Sequence, residues 1–384
     1  MQKAIVLGGG MVGSVMATDL AASGIRTTLA DRSPAALKKA AERLGAGVST
    51  LEADLSDARA VMKLVEPFDI VLGALPSAIG FQTLRTVIEA GKPYCDISFM
   101  PENALELDAL AKARGVTAVV DCGVAPGMSN MAAGYAHAQL DRCESIVIYV
   151  GGLPRERRWP FEYKAGFSPH DVIEEYTRPS RIVEYGKVVI REALSEPELI
   201  DFAGVGTLEA FNTDGLRSIA DTLDAPFMKE KTLRYPGHIE LMRVFRETGL
   251  FGTEPIQIGG VSVVPRDVIA SLMFPKWTYQ PGEEDLTVMR IVVEGVKAGQ
   301  RTRYSWDLLD YFDRASMSTS MSRTTALPCT IVARMILAGQ IRQVGVLPPE
   351  LIGNQEGCLH FVMSELEGRG VHYASRVEDL GRAD

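Results

Sequence analysis

A glycine-rich turn near the start of the chain has the residue types and the spacing needed to bind a dinucleotide. Gly8, Gly10 and Gly13 fit the pattern Gly-x-Gly-x-x-Gly, directly after an apolar run that is typical of a strand. Such glycines allow a tight turn, close approach of the backbone to a pyrophosphate, and close packing of helix on strand. The helix that follows, with Met11 and Val12 at its start, would direct its free N–H groups at the phosphates.

The acid that ends the second strand predicts which dinucleotide binds. Asp31 lies 18 residues past the last glycine of the turn, where a carboxylate can accept the ribose hydroxyls and repel a 2′-phosphate. The sequence therefore predicts NAD rather than NADP, although Arg32 could pair with a 2′-phosphate or lie over the adenine ring. Asp54 either accepts from the adenine amino group or caps the next helix. Three residues at the carboxyl end of the fourth predicted strand are expected to lie beside the nicotinamide: Ala74, Leu75 and Pro76.

The composition is that of an ordinary globular protein. The 384 residues are 46% hydrophobic and 23% charged, and the length predicts two domains. A net charge of −9 argues against a nucleic acid or an anionic membrane as partner. The five cysteines show no close pair and no metal-ligand spacing, which predicts reduced thiols, a cytoplasmic location and no metal site. The first strand starts by Lys3, so we expect no signal peptide, and no apolar run could cross a bilayer.

The first 121 residues alternate strand patterns with helical patterns. The predicted strands are Ala4–Leu7, Thr27–Ala30, Val48–Glu52, Ile70–Ala74, Tyr94–Ile97 and Val116–Val120. The predicted helices are Val12–Ser23, two that start at Ser33 and Ser56, Ile79–Ala90, and one that follows Pro101. Strands joined by helical crossovers build a doubly wound parallel sheet, so we predict an α/β fold of Rossmann type.

Beyond Cys122 the strand patterns follow one another with fewer helices between them. They cover Ile146–Val150, Ile182–Tyr185, Lys187–Ile190, Ile256–Val264 and Leu286–Glu294, with helical stretches at Gly215–Thr222 and Gly237–Thr248. We therefore predict a dinucleotide-binding domain at 1–124 and an α+β substrate and oligomerisation domain, with an antiparallel or mixed sheet, at 125–323. An apolar helix over Thr324–Gly339 opens a C-terminal segment, 324–384, that is expected to pack on the first domain.

Several longer strings are more specific than the glycine turn. They are Tyr149–Pro154 (Tyr-Val-Gly-Gly-Leu-Pro), Trp159–Lys164 (Trp-Pro-Phe-Glu-Tyr-Lys), Thr232–His238 (Thr-Leu-Arg-Tyr-Pro-Gly-His), Ser320–Thr325, Asp96–Ser98 and Gly123–Gly127. Together they resemble the saccharopine dehydrogenase/reductase superfamily over nearly the whole chain, and within it most of all the lysine 6-dehydrogenases. The resemblance implies NAD-dependent oxidative deamination of the ε-amino group of L-lysine. Ammonia would be released, and the product allysine would cyclise to Δ1-piperideine-6-carboxylate.

Three departures from the saccharopine reductases of that superfamily favour a smaller substrate than saccharopine. Ala125 stands where the reductases carry an acid, Phe99 where they carry a tyrosine, and Val150 where they carry a cysteine. Because all three changes remove polar groups on the substrate side, we expect a substrate with fewer polar groups.

The implied reaction needs a residue that takes up and returns protons. Asp96, at the end of the fifth predicted strand, could do so, or it could cap a loop. Lys164 could be shifted towards its neutral form by burial, or it could be a surface charge or a carboxylate clamp. His238 has the ordinary pKa best suited to moving protons, or it merely starts a helix. These three residues are the catalytic candidates.

The implied substrate also carries an α-carboxylate that a cation would hold. Arg234 is our candidate, because a guanidinium grips a carboxylate with two hydrogen bonds, and the alternative is a structural salt bridge. Tyr163, Tyr235 and Ser98 are expected to shape the pocket or to bind the amino-acid head.

Two other functions are compatible with the sequence. One is a saccharopine-type or carboxynorspermidine-type reductase, which would use NADPH and a second clamp such as Arg178, Arg181 or Arg323. The other is a dinucleotide-sensing or assembly protein without turnover. The expected partners are a small amino-acid substrate and further copies of the chain, as a dimer or tetramer. We expect association because exposed sheet edges need cover, and because the resemblance implies homo-oligomers.

Overall fold

The computed structural model describes residues 1–42 and 47–383 and divides the chain into two compact units. Unit 1 comprises Met1–Ala138, Asp313–Ser318 and Ser322–His372, and unit 2 comprises Gln139–Phe312, Thr319–Met321 and Tyr373–Asp384. Elements are numbered along the whole chain. Within the described ranges, no helix is long and apolar enough to span a membrane.

Unit 1 is built on a seven-stranded sheet in which every paired strand is parallel to its neighbour. Its strands are β1 (Lys3–Leu7), β2 (Arg26–Asp31), β3 (Val48–Glu52), β4 (Ile70–Gly73), β5 (Tyr94–Asp96), β6 (Thr117–Val119) and β17 (Gly345–Leu347). The spatial order is β17-β6-β5-β4-β1-β2-β3. The order reverses between β1 and β4, and ligands of such sheets bind at the carboxyl ends of the strands beside that reversal.

Helices flank this sheet, and their ends carry local capping signals. They are α1 (Met11–Ala22), α2 (Pro34–Ala41), α3 (Ala58–Val65), α4 (Ser77–Glu89), a short 3₁₀ helix (Ala104–Leu107), α5 (Asp108–Arg114), α6 (Met128–Gln139), α11 (Ser320–Leu337), α12 (Pro349–Gly353) and α13 (Cys358–Glu367). The Ser33 hydroxyl accepts from Ala36 N (3.2 Å) at the start of α2, where Pro34 occupies the first turn. Gly115, in the left-handed region, ends α5.

Unit 2 contains a nine-stranded mixed sheet. Its strands are β7 (Arg142–Pro154), β8 (Ser180–Glu184), β9 (Lys187–Arg191), β10 (Glu198–Phe202), β11 (Gly206–Asn212), β12 (Phe227–Arg234), β15 (Asp285–Lys297), β16 (Gln300–Tyr311) and β18 (Tyr373–Arg382). The main order is β10-β11-β12-β7-β15-β16-β18. Outside this order, β8 pairs with β12, and β9 pairs with β8. The pair β12–β7 is parallel and the other pairs are antiparallel.

The helices of unit 2 pack around an aromatic core. They are α7 (Pro169–Thr177), α8 (Ile219–Thr222), α9 (His238–Glu247) and α10 (Pro265–Trp277). Tyr163, Tyr176, Phe211 and Trp277 are buried together with apolar residues of α9 and α10. Trp277 meets Tyr163 edge to face, with the ring centroids 5.3 Å apart.

The α/β fold with a parallel Rossmann-type sheet and a second mixed-sheet unit is confirmed, and the differences are local. The parallel sheet has a seventh strand, β17, from the C-terminal part of the chain. The run Ile256–Val264 is a small hairpin of β13 (Ile256–Ile258) and β14 (Val261–Val263), because Gly259 and Gly260 turn the chain at positive φ. Of the helix expected over Gly215–Thr222, only the last turn forms.

Candidate functional site

The glycine turn of unit 1 leaves room for a ligand at one glycine and none at the other two. A Cβ on Gly8, whose φ is +108°, would overlap the carbonyl of Ala74, and a Cβ on Gly13 would overlap the carbonyl oxygen of Gly8. A Cβ on Gly10 would meet nothing within 4 Å. Gly8 and Gly13 are therefore required by the fold, whereas Gly10 opens the backbone to an approaching group. This is the arrangement a pyrophosphate needs at the start of α1.

This contrast predicts different outcomes for two substitutions. Gly10→Ala is expected to weaken binding of the reduced dinucleotide by about tenfold or more while leaving the melting temperature unchanged, because the new methyl group enters only the ligand's space. Gly13→Ala is expected to lower both the affinity for the dinucleotide and the melting temperature, because its methyl group collides with the backbone of the turn. Fluorescence titration with the reduced dinucleotide and thermal unfolding measure the two effects. Equal loss of stability in both variants would contradict this interpretation.

The remaining cofactor candidates surround the same edge of the sheet. Ala74 N donates to Leu7 O (2.8 Å), which ties the residues after β4 to the end of β1. Pro76 is the N-cap of α4, and Leu75 lies buried between them. Asp54 accepts from the backbone N–H (3.0 Å) and the hydroxyl (2.6 Å) of Ser56, and these bonds lower the pKa of its exposed carboxyl.

Asp31 is held differently from what its position in the sequence predicts. Its Oδ2 accepts from Gly9 N (2.6 Å) and its Oδ1 from Ser33 N (2.8 Å), so both carboxylate oxygens already bind backbone. The carboxylate therefore stabilises the glycine turn and the start of α2. Arg32, the next residue, is exposed.

Asp96 ends β5 at the carboxyl edge of the parallel sheet and is fully buried. Its Oδ1 accepts from Ser98 Oγ (2.8 Å) and Tyr94 OH (3.1 Å), whereas its Oδ2 has no hydrogen-bond partner within the described residues. Burial raises the pKa of this carboxyl from 3.8 to about 7, and the neighbouring Asp121 adds to the rise. A buried carboxyl that titrates near neutrality, with one oxygen free, is suited to holding or releasing a proton.

In unit 2, Arg234 ends β12 and is buried in an aromatic cage. Its guanidinium lies 4.3 Å from the ring centroid of Tyr163 and donates through Nε to Tyr176 OH (3.1 Å). Nη2 pairs with Glu175 (2.5 Å) and Nη1 donates to Leu233 O (3.0 Å). The guanidinium thus makes the structural salt bridge that was the alternative to substrate binding, and a role as carboxylate clamp stays a prediction.

His238 is the end of a hydrogen-bond chain that starts at Arg234. Its Nδ1 lies 2.8 Å from Phe161 O, and its Nε2 lies 2.9 Å from Tyr176 OH. Because a carbonyl can only accept, Nδ1 donates and Nε2 accepts from the tyrosine. Burial and the charge of Arg234 lower the pKa of His238 to about 3, so the ring stays neutral at physiological pH. In this arrangement His238 orients Tyr176.

Lys164 and Tyr235 directly follow Tyr163 and Arg234 in sequence, but their polar groups bind residues outside this aromatic cage. Lys164 Nζ binds Glu283 (2.7 Å) and Thr278 O (3.0 Å). Tyr235 OH donates to Pro154 O (3.0 Å). The structure therefore brings together Tyr163, Arg234 and His238, and it adds two residues that the sequence analysis missed, Glu175 and Tyr176. The start of their helix, Ser168-Pro169, was a recognisable capping signal.

The three arginines considered as a second clamp each have neighbours of their own. Arg178 lies 3.8 Å from Glu174, Arg181 binds Asp214 (3.1 Å), and Arg323 donates to Arg369 O (2.9 Å). Within the part of the chain that the structure describes, no group of three or more His, Cys, Asp or Glu side chains could hold a metal ion. All five cysteines are free thiols.

A parallel doubly wound sheet with this glycine turn is the architecture of a dinucleotide-binding domain. Comparison with protein families matches residues 4–119 to the saccharopine dehydrogenase NADP binding domain and residues 123–371 to the saccharopine dehydrogenase C-terminal domain. The chain belongs to the saccharopine dehydrogenase family.

Known proteins agree with that assignment. An alpha-aminoadipic semialdehyde synthase of Arabidopsis thaliana is 23% identical over 79% of this chain, and the match covers 37% of that protein. A saccharopine dehydrogenase [NADP(+), L-glutamate-forming] of Pyricularia oryzae is 22% identical over 91% of this chain and 93% of its own length. The structure of a saccharopine dehydrogenase (L-Glu forming) from Saccharomyces cerevisiae has the same fold, with a TM-score of 0.79, 18% identity and coverage of 98% and 100%. The chain spans less than half the length of the semialdehyde synthases it matches.

These comparisons overturn one prediction. The preference for NAD over NADP, drawn from Asp31, is wrong, because the matching family domain is NADP-binding and the saccharopine dehydrogenase relatives are named for NADP(+). The Asp31 carboxylate also has a structural role that the sequence does not reveal, because it accepts from the N–H groups of Gly9 and Ser33, so its presence after β2 does not by itself indicate the cofactor.

Proposed function

We propose that this protein is an NADP-dependent oxidoreductase that oxidises saccharopine and releases L-glutamate. The observation that carries the proposal is that the two family models match successive parts of the chain, residues 4–119 and 123–371. The similarity to the relative from Pyricularia oryzae, along 93% of that protein's length, supports the substrate and the cofactor.

Saccharopine contains a secondary amine that joins its glutamate and lysine parts. The proposed reaction oxidises the carbon bonded to this nitrogen on the lysine side. Bound NADP supplies the hydride acceptor. Loss of the hydride leaves a carbon–nitrogen double bond, water adds to the carbon, and the carbon–nitrogen bond then breaks. L-glutamate leaves with the nitrogen, and the semialdehyde remains. Water loses a proton and the departing nitrogen gains one, so the site needs a group that can hold a proton between the two events.

Asp96 is the residue we assign to hold that proton. It lies at the carboxyl end of β5, the edge at which ligands bind in sheets of this kind. Its Oδ2 has no partner in the described chain, and its pKa of about 7 allows both protonation states near neutral pH. Ser98 and Tyr94 fix the other oxygen and thereby the plane of the carboxyl group.

A second candidate function is oxidative deamination of L-lysine at its ε-amino group. The observation that favours it is the apolar character of Ala125, Phe99 and Val150, where the saccharopine reductases are polar. Val150 is buried in β7, opposite Thr232 of β12 and Met289 of β15, so no polar group is presented from that position. A smaller substrate with one carboxylate would need fewer polar partners.

Product analysis tests the proposal. We expect the purified protein with NADP⁺ and saccharopine to form NADPH and L-glutamate in equal amounts, measured by absorbance and mass spectrometry. Ammonia released from L-lysine, with no turnover of saccharopine, would establish the second candidate instead. Absence of NADPH formation with both substrates would contradict both functions.

The cofactor assignment gives a separate prediction. Arg32→Ala is expected to raise the KM for NADPH by about tenfold, because an exposed guanidinium after β2 is placed to pair with the 2′-phosphate. The KM for NADH should change little, because NADH lacks that phosphate. Arg26→Ala is the matched control, because Arg26 is an exposed arginine at the other end of β2, and this variant should leave both KM values unchanged. Equal effects of Arg32→Ala on both cofactors would remove Arg32 from the phosphate site.

A further inference from the structure

Glu230 is a buried acid of unit 2 that the proposed reaction does not use. It lies in β12 and is 3% exposed, and its Oε2 accepts from Thr213 Oγ1 (2.5 Å) and from Gly215 N (3.1 Å). A Cβ on Gly215 would lie only 2.3 Å from Cδ of Glu230, so no larger residue fits there. The turn that follows β11 is therefore shaped to hold this carboxyl group in one position.

The other half of this carboxyl group is left without a partner. Both hydrogen bonds go to Oε2, whereas Oε1 accepts no hydrogen bond and forms no ion pair within the residues that the structure describes. A buried carboxylate is costly unless a cation compensates it, so the group either holds a proton or receives a cation from outside the chain. Burial raises the pKa of Glu230 from 4.5 to about 8, as expected where the chain supplies no cation.

The charges around Glu230 favour a cation as its ligand. The carboxylates of Glu175 and Asp214 lie close enough to raise the pKa of Glu230 further. Glu175 pairs with Arg234 (2.5 Å). Asp214 pairs with Arg181 (3.1 Å). Of these three acids, Glu230 is the one that has no basic partner in the described ranges 1–42 and 47–383, and the local potential that the acids create attracts positive charge.

The position of Glu230 on β12 relates it to the aromatic cage around Arg234. Side chains two residues apart on a strand project to the same face, so Glu230, Thr232 and Arg234 form a row. The Thr213 hydroxyl lies 2.8 Å from the Thr232 hydroxyl and also donates to Glu230, which joins the middle of the row to its acidic end. A primary ammonium group, with its three N–H donors and its positive charge, matches that acidic end.

We propose that Glu230 binds the primary α-ammonium group of the amino-acid substrate, with the ammonium donating to Oε1. The inference rests on the proposed function for the substrate, although saccharopine and L-lysine both carry this group. Glu230 is then a specificity residue, because it selects substrates that bring a cation to this position.

Removal of the ammonium group from the ligand and of the charge from the protein tests this assignment. With NADP⁺, we expect the wild type to give a kcat/KM about tenfold or more higher for saccharopine than for N-(5-carboxypentyl)-L-glutamate, which is saccharopine without its primary amine. Glu230→Gln should lose most of this preference. Its melting temperature should change little, because the amide oxygen still accepts from Thr213 and Gly215.

Glu294→Gln is the matched control. Glu294 lies on β15 of the same sheet, and its carboxylate already binds Arg303 (2.6 Å), so this variant should keep the wild-type preference. A wild type that uses both compounds equally well would overturn the proposal. A preference that persists in Glu230→Gln would also overturn it, and a lower melting temperature in that case would give Glu230 a structural role only.

Failure of the proposed function would be distinguishable from failure of this inference. If the protein acts on L-lysine and not on saccharopine, the same comparison uses L-lysine and 6-aminohexanoate, which lacks the α-amine, and Glu230→Gln should again lose the preference. If no compound is turned over, isothermal titration calorimetry measures the preference as a ratio of dissociation constants. Binding of neither saccharopine nor L-lysine to the wild type would overturn the inference.

Discussion

Replacing Arg234 by methionine is expected to lower the free energy of unfolding by about 3 kcal/mol. The substitution leaves the Glu175 carboxylate, whose side chain is 18% exposed, without the guanidinium that compensates its burial. It also removes the donor to Tyr176 and the cation that lies over the Tyr163 ring. Urea denaturation of the wild type and the variant measures the difference.

Two controls separate the buried pair from general effects of removing an arginine. Arg142→Met breaks an ion pair with Glu144 in which the arginine side chain is 68% exposed, and it should cost less than about 1 kcal/mol. Adding Glu175→Gln to Arg234→Met removes the uncompensated charge and should recover a large part of the loss. A cost for Arg234→Met no larger than that for Arg142→Met would show that the cage contributes little to folding.

The second large effect is a dependence of stability on pH that comes from Asp96. Burial raises its pKa from 3.8 to about 7, so between about pH 4 and pH 7 the unfolded chain has released a proton that the folded chain retains. Stability therefore falls as the pH rises through this window and becomes level above it. Each pH unit corresponds to about 1.4 kcal/mol, so we expect the wild type to lose about 2–3 kcal/mol between pH 5 and pH 7 relative to Asp96→Asn.

The control for that measurement is Asp57→Asn. Asp57 is an exposed N-cap of α3, accepting from Arg59 N (2.8 Å), and asparagine caps helices about equally well. Its pH profile should follow the wild type. If the profile of Asp96→Asn also followed the wild type, Asp96 would not be the buried proton-binding group of unit 1.

The parallel sheet could be predicted because its signals are local. The strands β1 and β4 are short, buried apolar runs, and residues such as Ser33 and Gly115 mark helix ends through contacts within a few residues. The seventh strand, β17, could not be predicted in the same way. It is only three residues long, and its strand geometry comes from pairing with β6, which is more than two hundred residues earlier in sequence.

The candidate site was predictable in residue type but not in partnership. Arg234 and His238 were identified from their sequence strings, but Tyr176, which bonds to both, lies on a helix about 60 residues earlier. Asp31 failed as a guide to the cofactor for a related reason. Its type and position suit ribose binding, but a carboxylate is equally suited to accept from two backbone N–H groups, and only the folded turn reveals that it does the latter.

We propose that this member of the saccharopine dehydrogenase family acts on saccharopine with NADP. The most direct measurement is kcat/KM for saccharopine and for L-lysine, each with NADP⁺, on the same purified protein. We expect saccharopine to be preferred by at least about a hundredfold, which corresponds to roughly 3 kcal/mol of additional transition-state stabilisation. A larger kcat/KM for L-lysine than for saccharopine would contradict it.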